Sequence, residues 1–517
     1  MGGHSVKTII LLMVLVVLSI LIGAQITDGF ANSLGAFAII ACVVVLFLLL
    51  WMGKNSWYLI FLLPPIVENL PIPFIDGTLA VFASTIVIFF YHYIQCKVMG
   101  HARLRWHSFI VADLLIFVIT IYMAISYYLH PVAINALGLD MEFVGGQTYI
   151  YALGAVFYYI ALSSLEARQP ELEKLIKIAC LAQFVGITLK TIISLKSGNV
   201  GWAGGQLEGD LSQNVGEERI IVFAGLGYFI LTYCYASRPL GALWRSPLHL
   251  LGVIGAIAAV SLSGARNFLI NCVLYVMGIS WVRRETCVLI SLGVAVWVLL
   301  LGLGSGGAIE SLPYMTQRFI AVVPGIQVAS DVRRSVDGSS LVRRIAWEQA
   351  FEPKNGYIKD YIWGDGFQLS KKELGRDQVA HLRGTAEAIS VENNLLARTG
   401  NWHNGFIATM HRLGLVGCLL FYIVFFIGMA LFYRVGSYYV GKPLFPFYCL
   451  LTMKTFAVIF NFSYNACSPV TFFKFMIDFA CVKLLYTELR DNGVIEPFTL
   501  SRRYVPMTIR EIENQHG

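Results

Sequence analysis

Long apolar runs separated by short polar breaks set the organisation of this chain. The runs fall at 8–23, 34–52, 57–67, 78–96, 108–129, 147–165, 173–194, 218–236, 246–263, 266–282, 286–303, 404–433, 443–460 and 468–487, fourteen in all. They are continuous rather than alternating, so they read as helices and not as the strands of a barrel. Lipid accepts helices because each satisfies its own backbone hydrogen bonds. A full span needs about twenty residues. The run 57–67 is shorter and holds Pro64 and Pro65, so it is expected to lean on its neighbours. Lys7 and the first run resemble a signal peptide, but a second run comes at once, which favours an uncleaved first span.

The pattern breaks once on a large scale. Residues 304–403 carry twelve basic and eleven acidic side chains, far too many for a connector inside lipid. Loops longer than about fifteen residues usually carry function or are disordered. Trp347, Phe351, Tyr361, Trp363, Phe367 and the turn Gly364-Asp365-Gly366 give this one the means to fold. The expected organisation is an N-terminal transmembrane bundle (1–303), the large loop (304–403), C-terminal transmembrane helices (404–490) and a polar tail (491–517).

Composition narrows the class. Hydrophobic residues make up 57% of the chain and charged residues 13%, against about 25% charged in a typical soluble domain. The net charge of +7 would fit nucleic acid, but its placement does not. Basic residues gather in alternate short loops: Lys54; Lys97, Arg103 and Arg105; Arg168, Lys174 and Lys177; Arg238 and Arg245; Arg283 and Arg284; Arg434 and Lys442. The intervening loops hold Asp28, Glu68, Asp140 and Glu142, with Lys196 as the exception. The positive-inside rule then puts both termini in the cytoplasm and 304–403 outside. The ten cysteines are scattered singly and lack zinc spacing, so buried free thiols are expected and no structural metal.

Three places bear candidate chemistry. Arg266, in Ser261-Leu262-Ser263-Gly264-Ala265-Arg266-Asn267, interrupts a pair of apolar helices at their outer junction. Its small neighbours let an anion approach the free N–H groups of a helix start; an arginine snorkelling to headgroups is the alternative. Arg343 and Arg344 come after the candidate caps Ser339 and Ser340 and lie near a helix start, where two cations oppose the helix dipole unless they hold an anion; a solvated charged turn is the alternative. His403 stands where the loop re-enters the membrane, in His403-Asn404-Gly405-Phe406, with a side chain suited to acting as a base or donor; a purely structural interfacial histidine is the alternative.

Taken in order, the small-residue/Arg helix start, the Arg-x-x-x-Trp helix at Arg343, the Gly-x-Gly turn and the His-Asn at loop exit resemble the bacterial O-antigen ligase and polymerase superfamily. The resemblance covers about residues 246 to 435. Ala265, where the family often has Ser, is a departure, as are fourteen spans against the twelve common among ligases. The apolar runs and loop charges thus predict an all-α polytopic membrane protein of about fourteen transmembrane helices (12–14) with one large, partly helical outer loop, and the resemblance implies that this loop is periplasmic, on a bacterial inner membrane. It implies a metal-independent, inverting glycosyltransferase with no cofactor, working as a polymerase or a ligase. The donor would be a glycan on undecaprenyl pyrophosphate, the acceptor a further glycan or lipid A-core. Arg266 and Arg343 would grip the pyrophosphate, with Arg344, Arg318 and Asn404 as further substrate-binding residues, and His403 would serve the acceptor hydroxyl. Membrane lipids and a chain-length regulator are the implied partners, and nucleic acid is not among them.

Other charges have blander readings. Asp140-Met141-Glu142 and Glu208-Gly209-Asp210 lack histidine neighbours and read as solvated turns. Asp113, Lys454, Lys474 and Asp478 lie inside spans; Lys474 and Asp478 are one helical turn apart and are expected to neutralise each other, with a proton or substrate path as the sharper alternative. The rival class is a flippase or transporter of lipid-linked saccharide, against which stand the single large loop and the lack of internal symmetry. A peptidoglycan-type polymerase would need a loop carboxylate, with Asp365 and Glu392 as the residues to test.

Overall fold

The computed structural model describes residues 49, 51–67, 77–99, 110–132, 143–144, 146–165, 169–196, 222–261, 266–305, 307–312, 314–321, 323, 325–352, 356–367, 369–370, 402, 404–464 and 469–496. Its helices of seven residues or more, in chain order, are α1 (Tyr58–Val67), α2 (Gly77–Met99), α3 (Val111–Leu129), α4 (Gln147–Ser163), α5 (Gln169–Lys196), α6 (Val222–Ser237), α7 (Pro247–Ser261), α8 (Arg266–Arg283) and α9 (Thr286–Ser305). In the polar loop come α10 (Tyr314–Ile320) and α11 (Ser330–Phe351), and beyond it α12 (Gly405–Tyr439), α13 (Phe445–Tyr464) and α14 (Val470–Asp491). One short antiparallel pair, β1 (Phe143–Val144) with β2 (Leu369–Ser370), ties the loop to the segment before α4.

Every apolar run from 57–67 onward coincides with a helix; the run 8–23, the run 34–52 apart from Leu49, Trp51 and Met52, and the tail 497–517 lie outside the described residues. Among the described residues, five helices are long and apolar enough to cross a membrane: Thr78–Lys97, Val111–Leu129, Gln169–Ile192, Gly405–Tyr439 and Phe445–Tyr464. Thr148–Ser163, Pro247–Ser261 and Asn267–Arg283 are apolar but shorter. The outward faces are themselves apolar. Phe117, Leu153, Leu181, Leu251, Leu419 and Phe426 are all exposed, a surface that lipid covers at no cost and water does not.

The core is aromatic and centres on the last three helices. Phe421 of α12 stacks on Phe472 of α14 with ring centroids 3.7 Å apart, and Phe425, Phe475 and Phe479 extend the cluster. α14 lies against α4, α12 and α13, so it is wrapped by protein although its sequence carries Lys474, Asp478 and Lys483.

The deepest of these charges has a partner. Lys483 is bonded to Asp113 Oδ1 of α3 and donates to Ser163 Oγ of α4 at 2.8 Å. The Tyr159 hydroxyl donates to the same Asp113 oxygen at 2.9 Å, and the Ile110 N–H donates to the other at 2.8 Å, so the carboxylate also closes the first turn of α3. The two charged side chains are 1% and 4% exposed. Burying either charge alone is costly, and the pairing, with its added hydrogen bonds, offsets that cost. At the far end of α8, the Arg283 guanidinium donates to the carbonyls of Tyr235, Ala236 and Arg238, the unsatisfied groups at the end of α6.

Candidate functional site

The site forms where the loop meets the opening turns of α12. The sequence His411-Arg412-Leu413-Gly414 breaks the helix there: Gly414 has φ 62° and ψ −173°, a conformation open to glycine alone. A break in an apolar helix frees backbone groups that lipid cannot satisfy. Here the loop satisfies them. Asp365 N–H donates to His411 O at 2.8 Å and Gly366 N–H to Arg412 O at 3.0 Å. In return Leu415 N–H donates to Tyr361 O at 2.8 Å and Val416 N–H to Ile362 O at 3.3 Å. The Tyr122 hydroxyl of α3 bridges the two sides of this junction, reaching Trp363 O at 2.9 Å and Leu413 O at 2.6 Å.

The approach is close enough to need glycine on both sides. A methyl on Gly364 would meet the backbone of Arg412–Gly414, and one on Gly414 would meet the Ile362 carbonyl. The loop is shaped for this by two aspartates. Asp360 Oδ1 accepts from the N–H groups of Ile362 and Trp363, an Asx turn. Asp365 accepts from the N–H groups of Lys359 and Asp360 at 2.9–3.2 Å.

Side chains lock the junction further. Arg412 Nη1 donates to Gly366 O at 3.1 Å although the residue is buried. The indole N–H of Trp402 donates to His411 Nδ1 at 3.1 Å, and His411 Nε2 stands 3.5 Å from Asp365 Oδ2. Because an indole only donates, Nδ1 must be an acceptor and the ring proton sits on Nε2, facing the carboxylate. Both nitrogens of His411 are thus engaged, so His411 holds the junction and is not a free base. Asn404 caps α12, its Oδ1 accepting from Ile407 N–H at 3.1 Å while its Nδ2 donates to Ser463 O of α13.

The residues singled out from the sequence stand as follows. Arg266 opens α8 and Arg343 lies inside α11, but their side chains, like the whole of His403, lie outside the described residues, as does Glu392. The shared hold on pyrophosphate and acceptor that the resemblance implies for these three therefore falls outside as well. The expectation that Arg343 and Arg344 lie near a helix start is corrected: the helix begins at Ser330, a dozen residues earlier, so both lie in its body and Ser339 and Ser340 are not caps. The exposed Arg344 pairs with Glu348 one turn on, at 3.5 Å. Arg318 lies in the last turn of α10 and is half-buried. Asn404 has both ends of its amide committed to holding the helix start, a structural task beside any contact with substrate. Trp402 and Asn404, which flank His403, are each pinned by a hydrogen bond. Among the described residues no three His, Cys, Asp or Glu side chains are grouped to hold a metal ion.

His411, Arg412 and Trp402 were not singled out from the sequence. The signal was present: two ionisable residues and a glycine in the first turns of an apolar run mark a break at membrane depth.

Fold and site together define an all-helical protein built for a membrane, with a polar loop stitched into the start of one membrane helix. No protein-family model matches the chain, and no curated protein matches it.

Proposed function

We propose that the chain is a membrane glycosyltransferase that draws on an undecaprenyl-pyrophosphate-linked glycan at the periplasmic face of a bacterial inner membrane, as an O-antigen or exopolysaccharide polymerase or as an O-antigen ligase. One observation carries the reading: a folded polar loop is joined by four backbone hydrogen bonds to the broken start of an apolar helix, directly after the segment that contains His403. The donor has a lipid tail, a pyrophosphate at the interface and a sugar in water. A bundle with an apolar exterior and a polar junction of this kind has the same order of polarity.

In this mechanism the acceptor hydroxyl oxygen bonds to the anomeric carbon from the face opposite the pyrophosphate. The carbon–oxygen bond to phosphate breaks, and undecaprenyl pyrophosphate leaves with the electron pair. His403 takes the hydroxyl proton. Arg266 and Arg343 hold the pyrophosphate through charge-assisted hydrogen bonds that strengthen as negative charge grows on it, with Arg344 and Arg318 adding positive charge nearby. Arg266 lies in the first turn of α8, where the helix dipole favours an anion. No metal enters the scheme.

The test uses the full chain in nanodiscs with lipid-linked oligosaccharide extracted from host cells in which the gene is disrupted. Longer glycans, or glycan moved to lipid A-core, together with released undecaprenyl pyrophosphate and undiminished rate in EDTA, are expected. Movement of intact lipid-linked glycan across a bilayer with no new glycosidic bond would replace the transferase by a flippase.

A further inference from the structure

The loop carries an aromatic surface that the junction does not use. Trp347 and Phe351 lie one turn apart on α11, and their rings run nearly parallel to those of Phe406 and Tyr361. Trp347 is 5.9 Å from Phe406 at 12°, Phe351 is 5.6 Å from Trp347 at 22°, and Tyr361 is 6.4 Å from Phe351 at 16°. Nearly parallel rings at these separations are strongly offset, so the four form a staircase whose steps keep part of each face open. Trp347 and Phe351 are each 41% exposed and Tyr361 36%. The staircase is firmly mounted: Phe406 is in the first turn of α12, and the Tyr361 hydroxyl donates to Ala350 O at the end of α11.

We infer that this staircase, with the Arg344–Glu348 pair beside it, is a binding platform for the pyranose rings of a glycan. The inference rests on the transferase reading and names the part of the protein that would hold the sugar moiety of the lipid-linked donor. A pyranose presents one apolar face of polarised C–H groups, which is attracted to the electron-rich face of an aromatic ring. Its hydroxyls need donors and acceptors at the rim of the contact. The exposed guanidinium of Arg344 and carboxylate of Glu348, 3.5 Å apart on the helix that carries two of the rings, supply both.

A lipid surface is the competing occupant, since aromatic residues also gather at membrane interfaces. The character of α11 argues against it. Arg333, Arg334, Asp337, Arg344 and Glu348 are exposed on this helix, so it lies in water and its aromatic residues rise from a charged surface. A contact with both an apolar face and a charged rim complements a sugar and not an acyl chain. The platform is also continuous with the candidate site, because Tyr361 carries one of its rings and accepts the Leu415 N–H of the junction through its carbonyl.

The test measures binding of two radiolabelled probes to the full chain in nanodiscs: the lipid-linked oligosaccharide from gene-disrupted host cells, and bare undecaprenyl pyrophosphate. Trp347→Ala and Phe351→Ala are each expected to weaken binding of the glycan-bearing lipid by about tenfold, about 1.4 kcal/mol, while leaving that of the bare lipid unchanged, because each removes one ring face from the platform. Trp347→Phe, which keeps a ring face, is expected to recover most of the loss. Equal weakening of both probes would make the staircase a membrane anchor and overturn the inference. So would unchanged binding of both by variants that retain the wild-type melting temperature. A wild-type chain that binds neither probe would overturn the transferase reading, and this inference with it.

Discussion

Replacing Gly414 by alanine tests the junction most directly. At φ 62° and ψ −173° an L-residue carries backbone strain of about 1–3 kcal/mol, and the added methyl runs into the Ile362 carbonyl, adding an overpacking cost of about 1–3 kcal/mol. The chain has two ways to respond. It can bear the strain, or release the loop from α12. Release gives up the four backbone bonds between 361–366 and 411–416, worth about 0.5–1.5 kcal/mol each. The strain, about 2–6 kcal/mol, matches the four backbone bonds alone, and the contacts of Tyr122, Arg412 and His411 add to what release gives up, so the junction should open far more often by local fluctuation while the aromatic core around Phe421 and Phe472 stays folded. The measurement is hydrogen exchange of the full chain in nanodiscs. Peptides covering 359–367 and 411–416 should lose protection by about a hundredfold or more, equivalent to about 3 kcal/mol, while α13 and α14 keep theirs. Leu419→Ala, at an exposed position on the same helix, should leave all of these peptides unchanged. Wild-type protection at the junction in Gly414→Ala would refute the account of the broken helix.

Lys483→Met should leave Asp113 charged and unpaired in the core and destabilise the chain by about 3–5 kcal/mol, with much of the loss recovered in the double variant Asp113→Asn/Lys483→Met; thermal unfolding in detergent reads both. Trp402→Phe removes the donor to His411 Nδ1 and should cost about 1–3 kcal/mol, seen as faster exchange across 402–411 and not in α6 or α7. For the proposed reaction, Arg266→Lys keeps the charge but loses the planar fork, and product formation should fall by about a hundred- to a thousandfold, whereas His403→Ala should stop transfer and leave donor binding intact. Wild-type product from Arg266→Lys, or lost donor binding in His403→Ala, would undo that division of roles.

Much of the fold was legible in the sequence because lipid is a severe filter. A run such as 108–129 has almost no charged residue to interrupt it, and it returns as a helix with ends shifted by at most three residues. The short run 57–67 also returns as a helix despite Pro64 and Pro65, packed against α2 and α5 as its length required. The candidate site was less legible, for a physical reason. Gly364-Asp365-Gly366 was recognisable as a turn from its residue types, but its partner at 411–416 lies nearly fifty residues away, and no local pattern specifies a backbone pairing over that distance. His411 and Arg412 were hidden by the long apolar stretch from Leu413 onward, which dominates any hydropathy average taken across them. Asp113 stood out as a charge inside a span, yet its counter-charge Lys483 comes from a helix 370 residues on and lies close to that span's end.

α3 has a dimensional role that none of its contacts shows singly. Asp113 and Tyr122 are nine residues apart, which in an α-helix is about 13.5 Å of rise and two and a half turns. They therefore point to opposite sides, Asp113 toward α4 and α14, Tyr122 toward the broken start of α12. The helix acts as a gauge block whose length and phase are both set. Inserting one residue between the two would rotate one anchor by about 100° relative to the other, so only one could stay engaged. Lineages adapting this protein to a thicker or thinner bilayer are free to lengthen α3 beyond Tyr122 or to adjust its neighbours. The interval between Asp113 and Tyr122 is the part that must stay constant.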